Sequence, residues 1–124
     1  MKQISTAAAY QSSSPLSQAI QYGELLFISG QVPVNPETGS ISGETVQEQT
    51  RVTFENIKAI LAEAGGSLDD IVKTTVFLTD IDDFPGMNEE YEATLSEPYP
   101  ARSAFEVANL ASDIRVEIEA IAIV

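Results

Sequence analysis

Apolar residues recur every second position, or in short continuous runs, at several places along the chain, which is the pattern of β-strands. The predicted strands are a short one at about 2–5, two at 17–20 and 24–29, a central one at 71–78, and two last ones at about 102–109 and 115–123. The strands at 17–20 and 24–29 flank Tyr22-Gly23, which predicts a hairpin. Residues 25–28 are all apolar, so this strand is expected to be buried on both faces, with a loop at 30–39 after it.

Two other segments have the three- and four-residue spacing of amphipathic helices. The first is predicted to begin at the capping-box pattern Thr45-Val46-Gln47-Glu48 and to end at Gly65-Gly66, where glycine permits the left-handed turn. The second is predicted to start near Asp82 or Asp83 and to run to about Leu95, before the prolines of 97–100 stop it. Its apolar stripe consists of Phe84, Met87, Tyr91 and Leu95, with Asn88 beside them.

This order of elements predicts a single α+β domain over residues 1–124, with a mixed β-sheet and both helices packed on one face. A chain of 124 residues supplies one core and has no room for a second. The strands at 24–29 and 116–123 carry apolar residues of both parities, so the second face of the sheet also requires burial. We therefore expect another subunit to cover it, in a homo-oligomer with sites between subunits.

Charge and composition exclude several kinds of partner and of catalytic group. The formal net charge of −13 opposes nucleic acid and anionic membranes as partners, although a small anion could still reach a single guanidinium. The chain has no Cys and no His, which removes thiol nucleophiles, histidine acid–base chemistry and the usual zinc sites. No apolar run approaches the roughly 20 residues that span a bilayer, so we expect a soluble, cytoplasmic protein.

Arg102 is the strongest candidate for a functional residue. It is one of six Lys+Arg in a chain with nineteen Asp+Glu, and it opens an apolar strand. Its planar fork could bind the carboxylate of a small organic acid through two parallel hydrogen bonds. The alternative is a structural ion pair with Glu106 or a strand neighbour, which spacing alone favours by about two to one.

Glu117 is the second candidate, on the next strand. One interpretation has a glutamate held near Arg102 on the adjoining strand, where it orients or deprotonates a water molecule. The alternative is a solvated strand face on which Arg115 neutralises Glu117 or Glu119, and spacing alone favours this alternative.

Three kinds of polar residue are ambiguous. Ser29 could donate to a ligand or cap the loop that follows it. Asn88 could belong to a site or bond to the backbone at a helix face. Tyr91 and Tyr99 are more often core or interface aromatics than acids.

Six short motifs are spread over nearly the whole chain. The most specific are Pro100-Ala101-Arg102-Ser103 and the Val-Glu-Ile-Glu-Ala run at 116–120. The others are Ser17-Gln18-Ala19-Ile20, the run Phe27-Ile28-Ser29-Gly30-Gln31-Val32-Pro33, Ala64-Gly65-Gly66 and Met87-Asn88-Glu89-Glu90-Tyr91. In sequence and in order these motifs resemble those of the YjgF/RidA family, also called endoribonuclease L-PSP or translation-inhibitor proteins.

The resemblance implies a chorismate-mutase-like fold assembled as a homotrimer with clefts between subunits. Deaminases of this family hydrolyse 2-imino acids, formed from 2-aminoacrylate or 2-aminocrotonate, to 2-keto acids and ammonia. By resemblance, Arg102 binds the substrate carboxylate and Glu117 positions the attacking water. Ser29, Asn88 and the backbone at Ala104 match further cleft positions, and no metal or organic cofactor is implied.

One departure from the family pattern lies at Leu16, where the deaminases commonly have tyrosine. The loss of one cleft hydroxyl would cost about 1–3 kcal/mol of transition-state binding, or shift preference towards an apolar substrate side chain. Another tyrosine, Tyr10, lies near Leu16 in the sequence, but its position alone does not show that it replaces this hydroxyl. The alternative function is therefore a non-catalytic, regulatory binder of small carboxylates such as 2-ketobutyrate. A ribonuclease is the weakest hypothesis, because the chain is strongly acidic and lacks His.

Overall fold

The computed structural model describes all 124 residues and contains one mixed six-stranded sheet with two α-helices. The strands are β1 (Lys2–Ile4), β2 (Ala19–Tyr22), β3 (Leu25–Gln31), β4 (Ile71–Leu78), β5 (Ala101–Glu106) and β6 (Val116–Ile123). The helices are α1 (Val46–Glu63) and α2 (Phe84–Thr94), and single 3₁₀ turns at Leu68–Asp70 and Ile81–Asp83 precede β4 and α2. The predicted α+β architecture is confirmed. No helix has the combination of length and apolar character that crossing a membrane requires.

The strand order in the sheet is β1-β2-β3-β6-β4-β5. Four of the five strand pairs are antiparallel, and only β4 and β5 run parallel. Parallel neighbours require a crossover connection, and α2 supplies it. The last strand, β6, therefore inserts between β3 and β4, and β5 is left at the edge of the sheet.

Local signals in the sequence set the bounds of α1. The Thr45 hydroxyl accepts a hydrogen bond from the Glu48 backbone N–H at 3.1 Å, and the Glu48 carboxylate accepts one from the Glu44 N–H at 3.1 Å. At the other end Gly65 has a φ of +84°, which satisfies the last turn of the helix without the strain a side chain would bring. The buried face of α1 carries Phe54, Ile57, Ile60 and Leu61.

Helix α2 begins at Phe84 with Asp83 at the N-cap position, in agreement with the predicted start near Asp82 or Asp83, and Asp80 caps a separate 3₁₀ turn before it. Its buried residues are Met87 and Tyr91. The Tyr91 ring packs edge-on against Phe54 of α1, with centroids 5.5 Å apart. Its hydroxyl shares a 2.7 Å hydrogen bond with the buried Thr74 hydroxyl of β4. Both helices thus lie on the same face of the sheet, as predicted.

The prediction that β3 is buried on both faces is wrong for the single chain. Leu26 and Ile28 are fully buried beneath α1, whereas Leu25 is 41% exposed and Phe27 is 45% exposed, because the helices cover one face only. The strand also continues to Gln31, into the predicted loop, through a bulge between Ile28 and Gln31. Other bounds moved as well: β2 begins at 19 and β5 ends at 106.

We call the sheet surface away from the helices the open face. Its apolar residues form neighbouring pairs across the strands: Leu25 opposite Ile123, and Phe27 opposite Ile121. Phe77 and Phe105 meet edge to face, with ring centroids 5.5 Å apart. The expectation of a second face with uncovered apolar residues is confirmed. These residues form two groups, with the paired Glu119 and Thr75 between them, and exposed apolar groups of this kind are typical of a protein interface.

Candidate functional site

Arg102 is the second residue of the edge strand β5, and its side chain points to the helix side of the sheet. In the parallel pairing of β4 and β5 it lies opposite Thr74, whose side chain is buried against Tyr91. It borders a cavity of about 350 Å³, here called the arginine pocket, which is lined by Asn88, Tyr91, Glu92, Tyr99, Pro100 and Arg102.

Four residues of α2 contact the Arg102 guanidinium. Nη1 donates to the Asn88 side-chain oxygen at 2.6 Å and lies 4.0 Å from the Met87 sulfur. The guanidinium carbon is 4.8 Å from the Tyr91 ring centroid, and Phe84 adds a second aromatic contact at 5.4 Å. Cation–π contacts of this kind orient an arginine without neutralising it.

The hypothesis that Arg102 forms a structural ion pair is wrong. The two ion pairs of the chain are Arg51–Glu90 and Arg115–Asp83, and neither involves Arg102. Glu106, the predicted partner, instead accepts a hydrogen bond from the Ile81 backbone N–H at 2.8 Å. Arg102 therefore has no carboxylate partner in the chain, and its guanidinium donors other than the one bound to Asn88 are available in the arginine pocket.

Asn88 and Tyr91 differ in what they offer a ligand. The Asn88 oxygen is occupied by Arg102, which leaves its amide N–H₂ as a donor. Burial raises the pKa of Tyr91, while the Thr74 hydrogen bond and the Arg102 charge lower it by less, so its hydroxyl stays neutral. Tyr91 is a core aromatic, as predicted. Tyr99 is 42% exposed and borders the pocket.

Ala104 follows Arg102 on the same side of β5. The Val107 backbone N–H donates to the Leu78 carbonyl at 2.8 Å, so the odd-numbered residues of this strand direct their backbone groups towards β4. Alternation along a strand then directs the N–H and C=O of Ala104 to the free edge of the sheet. The Ala104 backbone is available for hydrogen bonding beside the arginine pocket.

Glu117 lies on the open face, on the other side of the sheet. Along β6, Val116, Ile118 and Ala120 are buried beneath the helices, whereas Glu117 lies opposite Phe77 of β4. The hypothesis that Glu117 approaches Arg102 on an adjoining strand is therefore wrong within one chain. Strand β4 separates β6 from β5, and the two side chains point to opposite faces.

A cavity of about 250 Å³ contains Glu117, and we call it the glutamate cavity. Its lining also includes Tyr10, Leu16, Gly30 and Ile114. Burial, and to a smaller extent the negative charge of Glu119, raises the pKa of Glu117. No cation offsets this effect, because Arg115, the proposed neutralising partner, donates to Asp83 and to the Glu44 carbonyl instead.

Ser29 connects the glutamate cavity to the N-terminal segment. Its hydroxyl donates to the Ser17 carbonyl at 2.6 Å, and its backbone N–H donates to the Gln18 carbonyl at 2.9 Å. The hydroxyl proton is thus used within the chain, and only acceptor capacity remains for a ligand.

The structure brings the sequence-predicted residues together in two groups. Arg102, Asn88 and Ala104 lie at the edge formed by α2 and β5, whereas Glu117 and Leu16 border the glutamate cavity, with Ser29 beside Gly30 on β3. Sequence reasoning missed the contribution of Tyr10 to that cavity and the close approach of Gly30 to Glu117. It also missed that the predicted apolar stripe of α2 would form the platform beneath Arg102.

The chain is similar to known proteins over almost its whole length. Residues 6–124 match the family model described as endoribonuclease L-PSP. A RutC family protein of Pyrococcus abyssi is 50% identical over 119 residues, covering 96% of this chain and 94% of the relative. The 2-iminobutanoate/2-iminopropanoate deaminase of Salmonella typhimurium is 46% identical, covering 98% of this chain and 97% of that protein.

Solved structures give the same result. The crystal structure of Escherichia coli TdcF with bound serine superposes with a TM-score of 0.94 at 45% identity, covering 100% of this chain and 99% of that one. The fold and these matches define an α+β protein of the endoribonuclease L-PSP class. The chain belongs to the YjgF/RidA family.

Proposed function

We propose that this protein hydrolyses reactive 2-imino acids, the tautomers of the enamines 2-aminoacrylate and 2-aminocrotonate, to 2-keto acids and ammonia. The observation that carries the proposal is an arginine left without a carboxylate partner in a chain with nineteen acidic residues. Such a guanidinium, oriented by Asn88 and aromatic rings, suits a small ligand carboxylate. The deaminase names carried by relatives support the same reaction class.

The reaction needs an electrophilic carbon, a water molecule and proton transfer. In our mechanism Arg102 binds the substrate carboxylate and the Asn88 amide and Ala104 backbone supply further hydrogen bonds. Glu117 accepts a proton from water as the water oxygen bonds to the imine carbon. The imine nitrogen takes one proton from solvent during this addition and receives a second from Glu117. The carbon–nitrogen bond then breaks and ammonia leaves, and the new hydroxyl group gives its proton to solvent, so that the carbonyl of the 2-keto acid remains.

Within one chain Arg102 and Glu117 point to opposite faces of the sheet, so this mechanism requires a second copy of the chain. We propose a chorismate-mutase-like homotrimer in which the arginine pocket of one subunit meets the glutamate cavity of its neighbour. The apolar open face supports such an assembly, since Leu25, Phe27, Phe105 and Ile123 on it are 41–47% exposed in the isolated chain. Leu16, which is 52% exposed in the isolated chain, would then form an apolar wall of the cleft.

The test couples a PLP-dependent threonine or serine dehydratase to the purified protein, with semicarbazide trapping the imine that remains. We expect wild type to lower the trapped fraction and Arg102→Ala to abolish this effect. Lys58→Ala is a matched control, because it removes a cation of α1 outside both cavities. No acceleration by wild type would contradict the deaminase.

A second candidate is a regulatory binder of small carboxylates such as 2-ketobutyrate. The observation in its favour is Leu16, which places an aliphatic side chain in the cavity of Glu117 where related deaminases commonly have tyrosine. This candidate predicts Arg102-dependent binding of 2-ketobutyrate without imine turnover, measured by calorimetry on the same samples. A ribonuclease is disfavoured by the net charge of −13, which repels RNA.

A further inference from the structure

Gly30 makes an unusually close approach to Glu117. A Cβ built on Gly30 would overlap the Glu117 Oε2 atom and would lie 2.9 Å from the carboxyl carbon and 3.2 Å from Cγ. The carboxyl group therefore occupies the space that any other residue at position 30 would fill with its side chain. Both residues border the glutamate cavity.

The backbone around Gly30 is held in place from three directions. Between Ile28 and Gln31 strand β3 bulges, so that three steps along β3 match two along β6. The Ser29 backbone N–H and hydroxyl donate to Gln18 and Ser17, and the buried Gln31 amide donates to the Ser29 carbonyl at 3.0 Å. The surface against which the carboxyl group rests is thus a fixed part of the fold.

We propose that Gly30 is a positioning residue, whose missing side chain seats the Glu117 carboxyl group against the β3 bulge and directs it into the cleft. Ser29 and Gln31 hold the bulge and act through the backbone of Gly30. For catalysis the inference rests on the proposed function, in which Glu117 activates water. The seating of the carboxyl group is a property of the folded chain and is testable without activity.

The geometry predicts that a substitution at Gly30 changes the position of the Glu117 carboxyl group without unfolding the protein. Gly30 does not have a positive φ, so alanine fits its backbone conformation. The overlapping atoms belong to the end of a flexible side chain, so Gly30→Ala is expected to displace the carboxyl group and leave the protein folded. A displacement of about 1 Å at a reacting group lowers turnover by about 10- to 100-fold.

The first experiment measures the pKa of Glu117 by carbon-13 NMR titration of the intact protein, in wild type and in Gly30→Ala. Seated in the cavity and close to the Glu119 charge, Glu117 of the wild type should titrate above its ordinary value of about 4.5. In Gly30→Ala we expect a shift back towards that value, because the displaced carboxyl group gains solvent. An unchanged titration in a folded variant would overturn the proposal.

The second experiment measures imine hydrolysis by four proteins. They are wild type, Gly30→Ala, Glu117→Asp, and the double variant that combines Gly30→Ala with Glu117→Asp. Gly30→Ala should lower kcat about 10- to 100-fold with a smaller change in KM. On the Asp background, whose shorter side chain withdraws the carboxyl group, the same change should cost less. Equal losses on both backgrounds would show that Gly30 acts independently of Glu117. If wild type lacks turnover, the proposed function fails, and the titration still decides whether Gly30 seats Glu117.

Discussion

Arg102 and Glu117 point to opposite faces of one sheet, with strand β4 between their own strands. If both act on the same substrate, each site must draw them from different copies of the chain. Mixing refolded Arg102→Ala with Glu117→Gln should then restore imine hydrolysis, because some sites combine the intact half of each variant. Random assembly leaves about a quarter of sites intact, which sets the expected recovery. Mixtures as inactive as either variant alone would place both residues in one subunit's site.

Replacing Arg102 with lysine tests the shape of the anion site. Lysine keeps the positive charge but lacks the planar fork that stacks on Tyr91 and bonds to Asn88. We expect kcat/KM for imine hydrolysis to fall about 10- to 100-fold, with a larger fall for Arg102→Ala. The coupled dehydratase assay gives both values. A lysine variant with wild-type kinetics would show that a point charge is sufficient.

Glu117 should oppose stability at neutral pH. Because its folded pKa is raised by burial and then by Glu119, its stabilising contribution is complete below its ordinary pKa of about 4.5 and is lost as pH rises through the raised value. Glu117→Gln cannot ionise, so we expect its Tm to exceed that of wild type at pH 7, with a smaller difference at pH 4. Thermal melts at fixed protein concentration measure this. A difference independent of pH would contradict a raised pKa.

The raised pKa of Glu117 also predicts how turnover depends on pH. If ionised Glu117 accepts the proton of water, kcat/KM should rise with pH as the carboxyl group ionises, with a midpoint above about 4.5. Glu117→Gln should lose this rise and retain at most about 1% of wild-type activity. A pH–rate profile of both proteins, with the coupling dehydratase in excess at each pH, is the measurement. The same rise in Glu117→Gln would assign it to another group.

The hydrogen bond between Thr74 and Tyr91 supports the platform beneath Arg102 from inside the core. Tyr91→Phe keeps the ring but leaves the fully buried Thr74 hydroxyl without its 2.7 Å partner. We expect the free energy of unfolding to fall by about 1–3 kcal/mol, as measured by urea denaturation. Adding Thr74→Val removes the unpaired group and should recover much of the loss. A double variant as unstable as the sum of the singles would contradict this explanation.

A charge on the open face should prevent assembly. Phe27 is 45% exposed in the isolated chain and lies opposite Ile121 on this face. Phe27→Asp should therefore give a monomer by light scattering and abolish imine hydrolysis, because no second copy completes the site. Ile81→Asp is the control: Ile81 is 48% exposed but precedes α2, away from the open face. Wild-type mass and activity for Phe27→Asp would exclude this face as the interface.

Elements defined by neighbouring residues could be predicted from the sequence. The Thr45 cap, the α1 stripe and Gly65 specify a helix through contacts within a few positions, and the structure has it at Val46–Glu63. The both-parity pattern of β3 and β6 likewise predicted an apolar second face. Periodicity records which side chains avoid water and not which molecule covers them, so the covering of this face by another subunit stays a prediction.

The sequence by itself determined most of the elements, the lack of Cys and His, and Arg102 and Glu117 as candidates for chemistry. Only the tertiary structure decided how these groups are placed. Strand order depends on pairing between distant segments, and no local pattern states that β6 inserts beside β4 and leaves β5 at the edge. This insertion separates Arg102 from Glu117. It also brings Glu117 against Gly30, which is distant from it in the sequence.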